Sequence, residues 1–342
     1  MKKSKKRVLF YSSVQDKHLF ITQRFYHIDI NILHEFGCEV LLSNNVLDAF
    51  CFWKYDFVFA YFYRKSFFTA LIAALFMRPT YFTGGIDDLD INYASKKRYR
   101  IQKIFFRLCY WISKSCIIVS DSDLRNIEKI LNKTEKLSFS EHTIDVEKFV
   151  AHEDILPKEK LFTTIVWMGN KDNVKRKGVD TALKVFSLLQ KNKLYADYRF
   201  LIIGKKGEGT SYVESLIEEY GLQRVVMLTD EISEEKKINI LLRSKYYFQL
   251  SIYEGFGLAA LEALATNNIV IHSGKGGLAN PIFSSGIIFN IGNDLEIEME
   301  SLLKKMSIYN NEQLEEVSRF IIKQYDNSRR REDFFRIIDE LK

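Results

Sequence analysis

Glu254 and Glu262 stand eight residues apart in the run Ser251-Ile-Tyr-Glu254-Gly-Phe-Gly257-Leu-Ala-Ala-Leu-Glu262-Ala-Leu-Ala265. The residues before Glu254 read as a buried strand, and Leu258–Ala265 as a helix, with Gly255 and Gly257 at the turn between them. Glycines there permit close backbone approach. A helix N-terminus offers N–H groups and the positive end of its dipole to a phosphate. At 1.5 Å of rise per residue the two glutamates lie ~8 Å apart along the axis. That span suits one carboxylate on a sugar and the other on a ribose, with a diphosphate between them. A plain strand–glycine–helix turn, with one glutamate exposed and the other capped, is the alternative.

A second group precedes it. Asn173-Val-Lys-Arg-Lys177-Gly178 follows a strand ending at Met168-Gly169, and it reads as a loop whose Lys177 is placed to neutralise a phosphate. Lys171, six residues earlier, is a candidate second cation; a solvated basic surface is the bland reading. Asp88-Leu-Asp90 is a D-x-D, but three-residue patterns are common and no metal site is expected. Asp87 or Asp88, just past the strand Thr80–Thr83, suits acceptor hydroxyls or a loop cap equally. Gly204-Lys-Lys-Gly207-Glu-Gly209 does not match G-x-G-x-x-G and sits mid-chain, which argues against a dinucleotide site. The six histidines form no ligand set, although His142 and His272 fall near loop ends.

The elements that position these residues alternate. Strands are expected at Arg7–Ser12, Cys38–Ser43, Tyr55–Tyr63, Thr80–Thr83 and Cys116–Ser120. The helices between them are Ile21–Phe36, Ser66–Met77 and Ser95–Lys114, with another starting near Ser122. The second half repeats the pattern with strands Phe162–Met168, Tyr198–Ile203, Val225–Leu228, Tyr246–Ile252, Asn268–His272 and Gly286–Phe289. Its helices are Val179–Gln190, Ser211–Tyr220, Glu234–Leu242 and Leu258–Ala265. Continuous apolar strands alternating with helices indicate parallel sheets covered on both faces. The stretch Val150–Lys160, rich in Glu and Lys, is the expected linker. The chain ends in a helix with Phe334, Ile337, Ile338 and Leu341 on one face.

A chain of 342 residues suits two domains, and 47% hydrophobic with 27% charged residues excludes wholesale disorder. The net charge of +6 is unevenly placed. Residues 1–150 carry 23 Lys and Arg against 16 Asp and Glu, while residues 151–342 carry 27 against 28. A basic, aromatic-rich first half points to an anionic partner. The clusters Lys2–Arg7 and Lys96–Arg107, the latter interleaved with Tyr99, Phe105 and Phe106, suit an anionic bilayer face or are ordinary solvated surface. No nucleic-acid-binding motif accompanies them. Cys38, Cys51, Cys109 and Cys116 lack C-x-x-C spacing and read as buried, reduced thiols of a cytoplasmic protein. The longest apolar run, Phe67 to Met77, is about half of the ~20 residues needed to cross a bilayer.

With these motifs the chain resembles the retaining glycosyltransferases of family 4. The paired-glutamate motif matches Glu254-Gly-Phe-Gly-Leu and Glu262-Ala, and the phosphate loop looks like Gly169-Asn170…Lys177-Gly178. The strand-end glycine corresponds to Gly204 and the later Gly-Gly to Gly276-Gly277. The junction after the first domain resembles Thr143-Ile-Asp145-Val-Glu-Lys-Phe149.

The resemblance implies the α/β GT-B fold, two Rossmann-like domains facing each other across a deep cleft. Residues 1–150 would bind the acceptor and 151–325 the nucleotide-sugar, with 326–342 a helix returning to the first domain. It implies transfer of a sugar to an acceptor hydroxyl with retention of configuration, without a metal or other cofactor, from a UDP- or GDP-sugar. The acceptor would be a glycan, a lipid-linked glycan or a glycolipid of a bacterial surface. The protein would be cytoplasmic or peripheral on the inner face of the cytoplasmic membrane. Glu254 would contact the donor sugar and Glu262 the ribose. Lys177 and the backbone of Phe256–Leu258 would hold the diphosphate, with Gly169, Lys171, Gly204 and Gly255 alongside and Ile232 against the base. Asn170 stands where the family has an arginine. The loop Ser12-Ser13 lacks the family's glycines, and Gly84-Gly85-Ile86-Asp87 lacks its histidine. The acceptor side therefore rests on Ser13, Gly84, Asp87 and Asp88. These departures also motivate a second expectation, a non-catalytic GT-B partner subunit that binds nucleotide or acceptor without turnover.

Overall fold

The computed structural model describes residues 5–150, 157–309 and 311–342. The chain divides into two compact units, Met1–Ile144 with Tyr325–Lys342, and Asp145–Gln324. Part of the expected linker, residues 151–156, lies outside the described residues, as do Lys2 and Lys3 of the first basic cluster.

Unit 1 opens with β1 (Arg7–Tyr11), α1 (Leu19–Thr22), α2 (Arg24–Glu35), β2 (Glu39–Ser43) and β3 (Phe57–Tyr61). It continues with α3 (Ser66–Leu75), β4 (Thr80–Thr83), α4 (Lys96–Ile112), β5 (Ser115–Ile118), α5 (Asp121–Glu128) and β6 (Leu137–Phe139). The strands form one parallel sheet in the order β2-β1-β3-β4-β5-β6. Alternate residues of each strand enter different cores. Leu9, Val58, Phe82 and Ile118 face one side, and Val8, Phe57, Phe59, Tyr81 and Ile117 the other. That is why these strands read as unbroken apolar runs.

Unit 2 contains α6 (Glu147–Val150), β7 (Glu159–Ile165), α7 (Lys171–Arg176), α8 (Val179–Leu189), β8 (Arg199–Ile203), α9 (Thr210–Glu219) and β9 (Val226–Leu228). Next come α10 (Glu234–Arg243), β10 (Ser244–Gln249), α11 (Leu258–Ala265), β11 (Ile269–His272), β12 (Ile287–Ile288), α12 (Leu295–Ser307) and α13 (Asn311–Gln324). Its sheet is again parallel, in the order β12-β11-β10-β7-β8-β9. Side chains of Ser95, Ser120, Ser233 and Asp294 cap helices in the two units by accepting backbone N–H groups.

The last helix, α14 (Asn327–Ile337), belongs to unit 1. Phe334 packs on Phe59 with ring centroids 5.2 Å apart, and Arg330, fully buried, meets Asp29 of α2.

Four local readings differ from expectation. The helix expected over Ile21–Phe36 breaks at Gln23, which is extended, and the turn sends both Phe20 and Tyr26 into one core with rings 5.3 Å apart. The C-terminal helix stops at Ile337 and Ile338 is extended, yet Phe334 and Ile338 are both buried. Residues 171–176, expected as loop, are the helix α7, started by the Asn170 side chain accepting the Asn173 N–H at 2.8 Å. Cys38, Cys109 and Cys116 are buried free thiols, whereas Cys51 is only half-buried.

Candidate donor site

The central feature of unit 2 is a buried carboxylate at the C-terminal end of β10. Glu254 is 7% exposed, and its Oε1 accepts three hydrogen bonds: from Lys177 Nζ at 2.6 Å, Gln249 Nε2 at 2.7 Å and Ser251 Oγ at 2.7 Å. Its Oε2 accepts none among the described residues and is not sealed from solvent. Burial alone pushes the Glu254 carboxyl up. The Lys177 ammonium, with Arg176 and the Ser251 hydroxyl, more than offsets this and holds it below the usual carboxylate range. The result is a fixed anion with one oxygen tied down and the other available.

Backbone geometry places Lys177 there. Lys177 caps the C-terminus of α7, and Gly178 follows in the left-handed region, at φ 68°. A Cβ on Gly178 would lie 1.7 Å from the Leu250 carbonyl oxygen, so only glycine lets this turn press against the end of β10. The Ile252 N–H donates to the Arg176 carbonyl at 2.8 Å, closing the same contact.

Gly276 and Gly277 lie on the other side of Glu254. The Gly277 N–H donates to the Glu254 carbonyl at 2.6 Å, and a Cβ on Gly276 would be 2.2 Å from that oxygen. Gly257 then starts α11 at φ 102°, with no side chain among the described residues capping the helix. The first turn of an α-helix has N–H groups without an intrahelical partner. Phe256 is buried, while Gly255 and Leu258 are half-buried.

Glu262, the fifth residue of α11, is 3% exposed, and its Oε2 accepts from Lys237 Nζ at 2.7 Å. Lys237 also reaches Glu234 at 2.7 Å. Burial by itself would lower the Lys237 pKa, but the two carboxylates raise it above the ordinary lysine value. Oε1 of Glu262, like Oε2 of Glu254, accepts nothing from the described residues.

The remaining residues singled out in the sequence fall as follows. Lys171 begins α7 and lies over the Tyr212 ring at 4.5 Å, with no ion pair among the described residues. Gly169 is half-buried beside Trp167, and Gly204 ends β8 with its N–H donating to Thr229 Oγ1 at 3.3 Å. Ile232 is half-buried just before Ser233, the cap of α10. In unit 1, Ser13 is exposed in the loop after β1, while Gly84 and Asp87 follow β4. Asp88 is held by Arg64 and, at 2.5 Å, by Arg98.

His142 is buried beside Arg330, and burial together with that charge holds it well below the usual histidine range. His272 accepts the Gly274 N–H at Nδ1 and donates from Nε2 to the Phe283 carbonyl at 2.9 Å; burial lowers its pKa to about 4. Both histidines are thus taken up by packing. Among the described residues no three His, Cys, Asp or Glu side chains converge as a metal-binding group. Gln249 and Lys237 went unmarked in the sequence. Gln249 had a visible signal, an amide inside the apolar run Tyr246–Leu250.

The family model of glycosyl transferases group 1 matches residues 164–297. Among curated proteins, the chain is 28% identical over 140 residues to a GDP-mannose:cellobiosyl-diphosphopolyprenol alpha-mannosyltransferase of Xanthomonas oryzae pv. oryzae; the match covers 40% of this chain and only 34% of that protein. Among solved structures, Anabaena Alr3699/HepE in complex with UDP and glucose superposes with a TM-score of 0.74 at 12% identity, covering 98% of this chain and all of that one. Sucrose-phosphate synthase of Thermosynechococcus elongatus gives 0.74 at 14% identity, covering 98% and 99%. The chain thus has the fold of the GT-B glycosyltransferases, and its residues 164–297 match the glycosyl transferases group 1 family.

Proposed function

We propose that this chain transfers a sugar from a nucleotide-diphosphate sugar to an acceptor hydroxyl with retention of configuration. The observation that carries the reading is the Lys177–Glu254 pair at the uncapped start of α11, with Glu262 five residues into the same helix. In this reading Oε2 of Glu254 accepts from a hydroxyl of the donor sugar, and Oε1 of Glu262 from the ribose. The diphosphate lies against the N–H groups of Phe256, Gly257 and Leu258 and draws Lys177 towards it. These groups stabilise charge on the departing diphosphate, and no resident metal is required. Gly169, Lys171, Gly204, Gly255 and Ile232 would line the same site, and Ser13, Gly84, Asp87 and Asp88 the acceptor side on unit 1.

The Xanthomonas relative, a GDP-mannose:cellobiosyl-diphosphopolyprenol alpha-mannosyltransferase, supports a GDP-sugar donor and a lipid-diphosphate-linked glycan acceptor, while the Anabaena complex supports UDP. A panel of UDP, GDP, dTDP, ADP and CMP in a thermal-shift assay separates them. A nucleotide at about 100 times its Kd stabilises by ~2.7 kcal/mol. Release of the nucleoside diphosphate from the matching sugar donor, lost in Glu254→Gln, tests turnover. Nucleotide binding without release would instead assign a non-catalytic partner subunit.

A further inference from the structure

Unit 1 carries an apolar and basic face that no described residue covers. On α4 the side chains Ile101, Ile104, Leu108 and Trp111 recur at helical spacing and are exposed, Ile104 by 59% and Trp111 by 71%. On α3 a second exposed stripe runs through Phe68, Leu71 and Leu75 and ends at Met77 just beyond the helix. The Phe105 ring packs between Phe67 and Phe68, with centroids 6.1 Å from each, and joins the two stripes into one surface. The aromatics that the sequence offered for such a face are placed differently. Phe106 is fully buried in the core, and Tyr99 and Phe105 are half-buried.

The charge of this face is predominantly positive. Residues 57–120 hold ten Lys and Arg against three Asp, at positions 87, 88 and 90. Arg64 and Arg98 are spent on Asp88, Arg107 on the Ile130 carbonyl, and Lys114 on Asp339. Lys65, Lys96, Lys97, Arg100 and Lys103 form no ion pair among the described residues. A second copy of the chain would bring these cations against their own kind. An anionic bilayer answers both features, since its phosphates take the lysines and arginines while the acyl boundary takes Ile104, Leu108 and Trp111. No described helix is long and apolar enough to cross a membrane, so α4 would lie in the interface rather than span it.

We propose that α3 and α4 dock unit 1 on an anionic phospholipid surface, with α4 in the plane of the interface. This assignment uses no donor-site residue and stands apart from the glycosyltransferase reading. The test mixes the full-length chain with vesicles of equal parts phosphatidylglycerol and phosphatidylcholine, and with phosphatidylcholine alone. Co-sedimentation with the anionic vesicles only is expected, falling as salt is raised, together with a blue shift of tryptophan emission that shrinks in Trp111→Phe. Lys97→Ala and Arg100→Ala should each weaken partitioning about fivefold, and Trp111→Ser and Ile104→Ser each about tenfold. All four positions are exposed, so nucleotide-induced thermal shifts and melting temperatures should match wild type. Equal binding to both vesicles, or none to anionic vesicles at low salt, overturns the proposal. So does a concentration-dependent dimer that Ile104→Ser dissolves, which would assign the face to a second copy.

Discussion

Lys177 Nζ lies 2.6 Å from Glu254 Oε1, and this contact joins the end of α7 to the start of the α11 turn. Neither partner is free to drift. Gly178 presses on the Leu250 carbonyl, and the Glu254 main chain is clamped by the Gly277 N–H. Glu254→Gln should keep the fold and the amide-compatible contacts to Ser251, yet lower transfer by at least about a hundredfold. Nucleotide binding, followed by thermal shift, should change far less. Wild-type turnover in this variant would remove Glu254 from the chemistry.

Lys177→Ala makes a separate point. It leaves a buried carboxylate without its cation, at a cost of about 3 kcal/mol. Glu254 in the native chain sits below its ordinary range, so its contribution to stability is present above the unfolded carboxylate pKa and lost as pH falls through the lower folded value. Without Lys177 burial dominates, the folded pKa rises, and acid destabilisation should begin at higher pH. Melting temperature measured across the acid range checks the direction.

The Lys237–Glu262 pair predicts a selectivity. If Glu262 accepts from the ribose, wild type should favour a ribonucleotide over its deoxy counterpart. Glu262→Gln should erase about tenfold of that preference, the ~1.4 kcal/mol of one charge-assisted hydrogen bond. Titrations of UDP against dUDP, or GDP against dGDP, read this directly. An unchanged preference would show that Glu262 serves only to anchor Lys237.

Arg330 and Asp29 are 301 residues apart in sequence and fully buried together, with Arg330 Nε 2.5 Å from Oδ1 and Nη2 2.8 Å from Oδ2. Arg330 also donates to the Ser140 and Glu141 carbonyls at 2.8 and 3.1 Å. Arg330→Ala should cost about 3–5 kcal/mol by stranding Asp29. Adding Asp29→Ala should cost little more, because the stranded charge is then gone. Denaturant unfolding of the two single variants and the double gives the coupling.

All strands but the half-buried edge strand β6 were readable, because both sheet faces are buried, and the Glu254 turn because two glycines and two glutamates mark it at fixed spacing. Partners fixed by packing were not. Lys237 stands in Glu234-Glu-Lys-Lys237, which reads as a solvated helix face until α10 packs against α11. Arg330 stands in Arg329-Arg-Arg331, where only the tertiary fold shows which of the three turns inward. Asn170 stands where the family has an arginine, and that its side chain starts α7 shows only in the structure. On α4 the spacing showed a basic aromatic helix, but which rings are core depends on where α3 crosses it.

Lys158 supplies a pH dependence of opposite sign to that of Glu254. Its ammonium is buried just before β7 and donates to the Thr266 carbonyl at 2.6 Å and the Leu241 carbonyl at 3.3 Å, with no carboxylate partner among the described residues. Burial lowers its pKa to about 7, against about 10.4 in an unfolded chain. Between those values the unfolded chain holds a proton that the folded chain has released, so stability should rise with pH from about 7 to about 10. Lys158→Met removes the titrating group while keeping most of its length. The Asn268 side-chain amide still donates to both carbonyls in its absence, at 2.8 Å to Leu241 and 3.3 Å to Thr266. The variant should therefore melt higher than wild type at neutral pH, and its melting temperature should follow a flatter line towards pH 10. Parallel wild-type and variant curves would show that Lys158 stays charged in the fold.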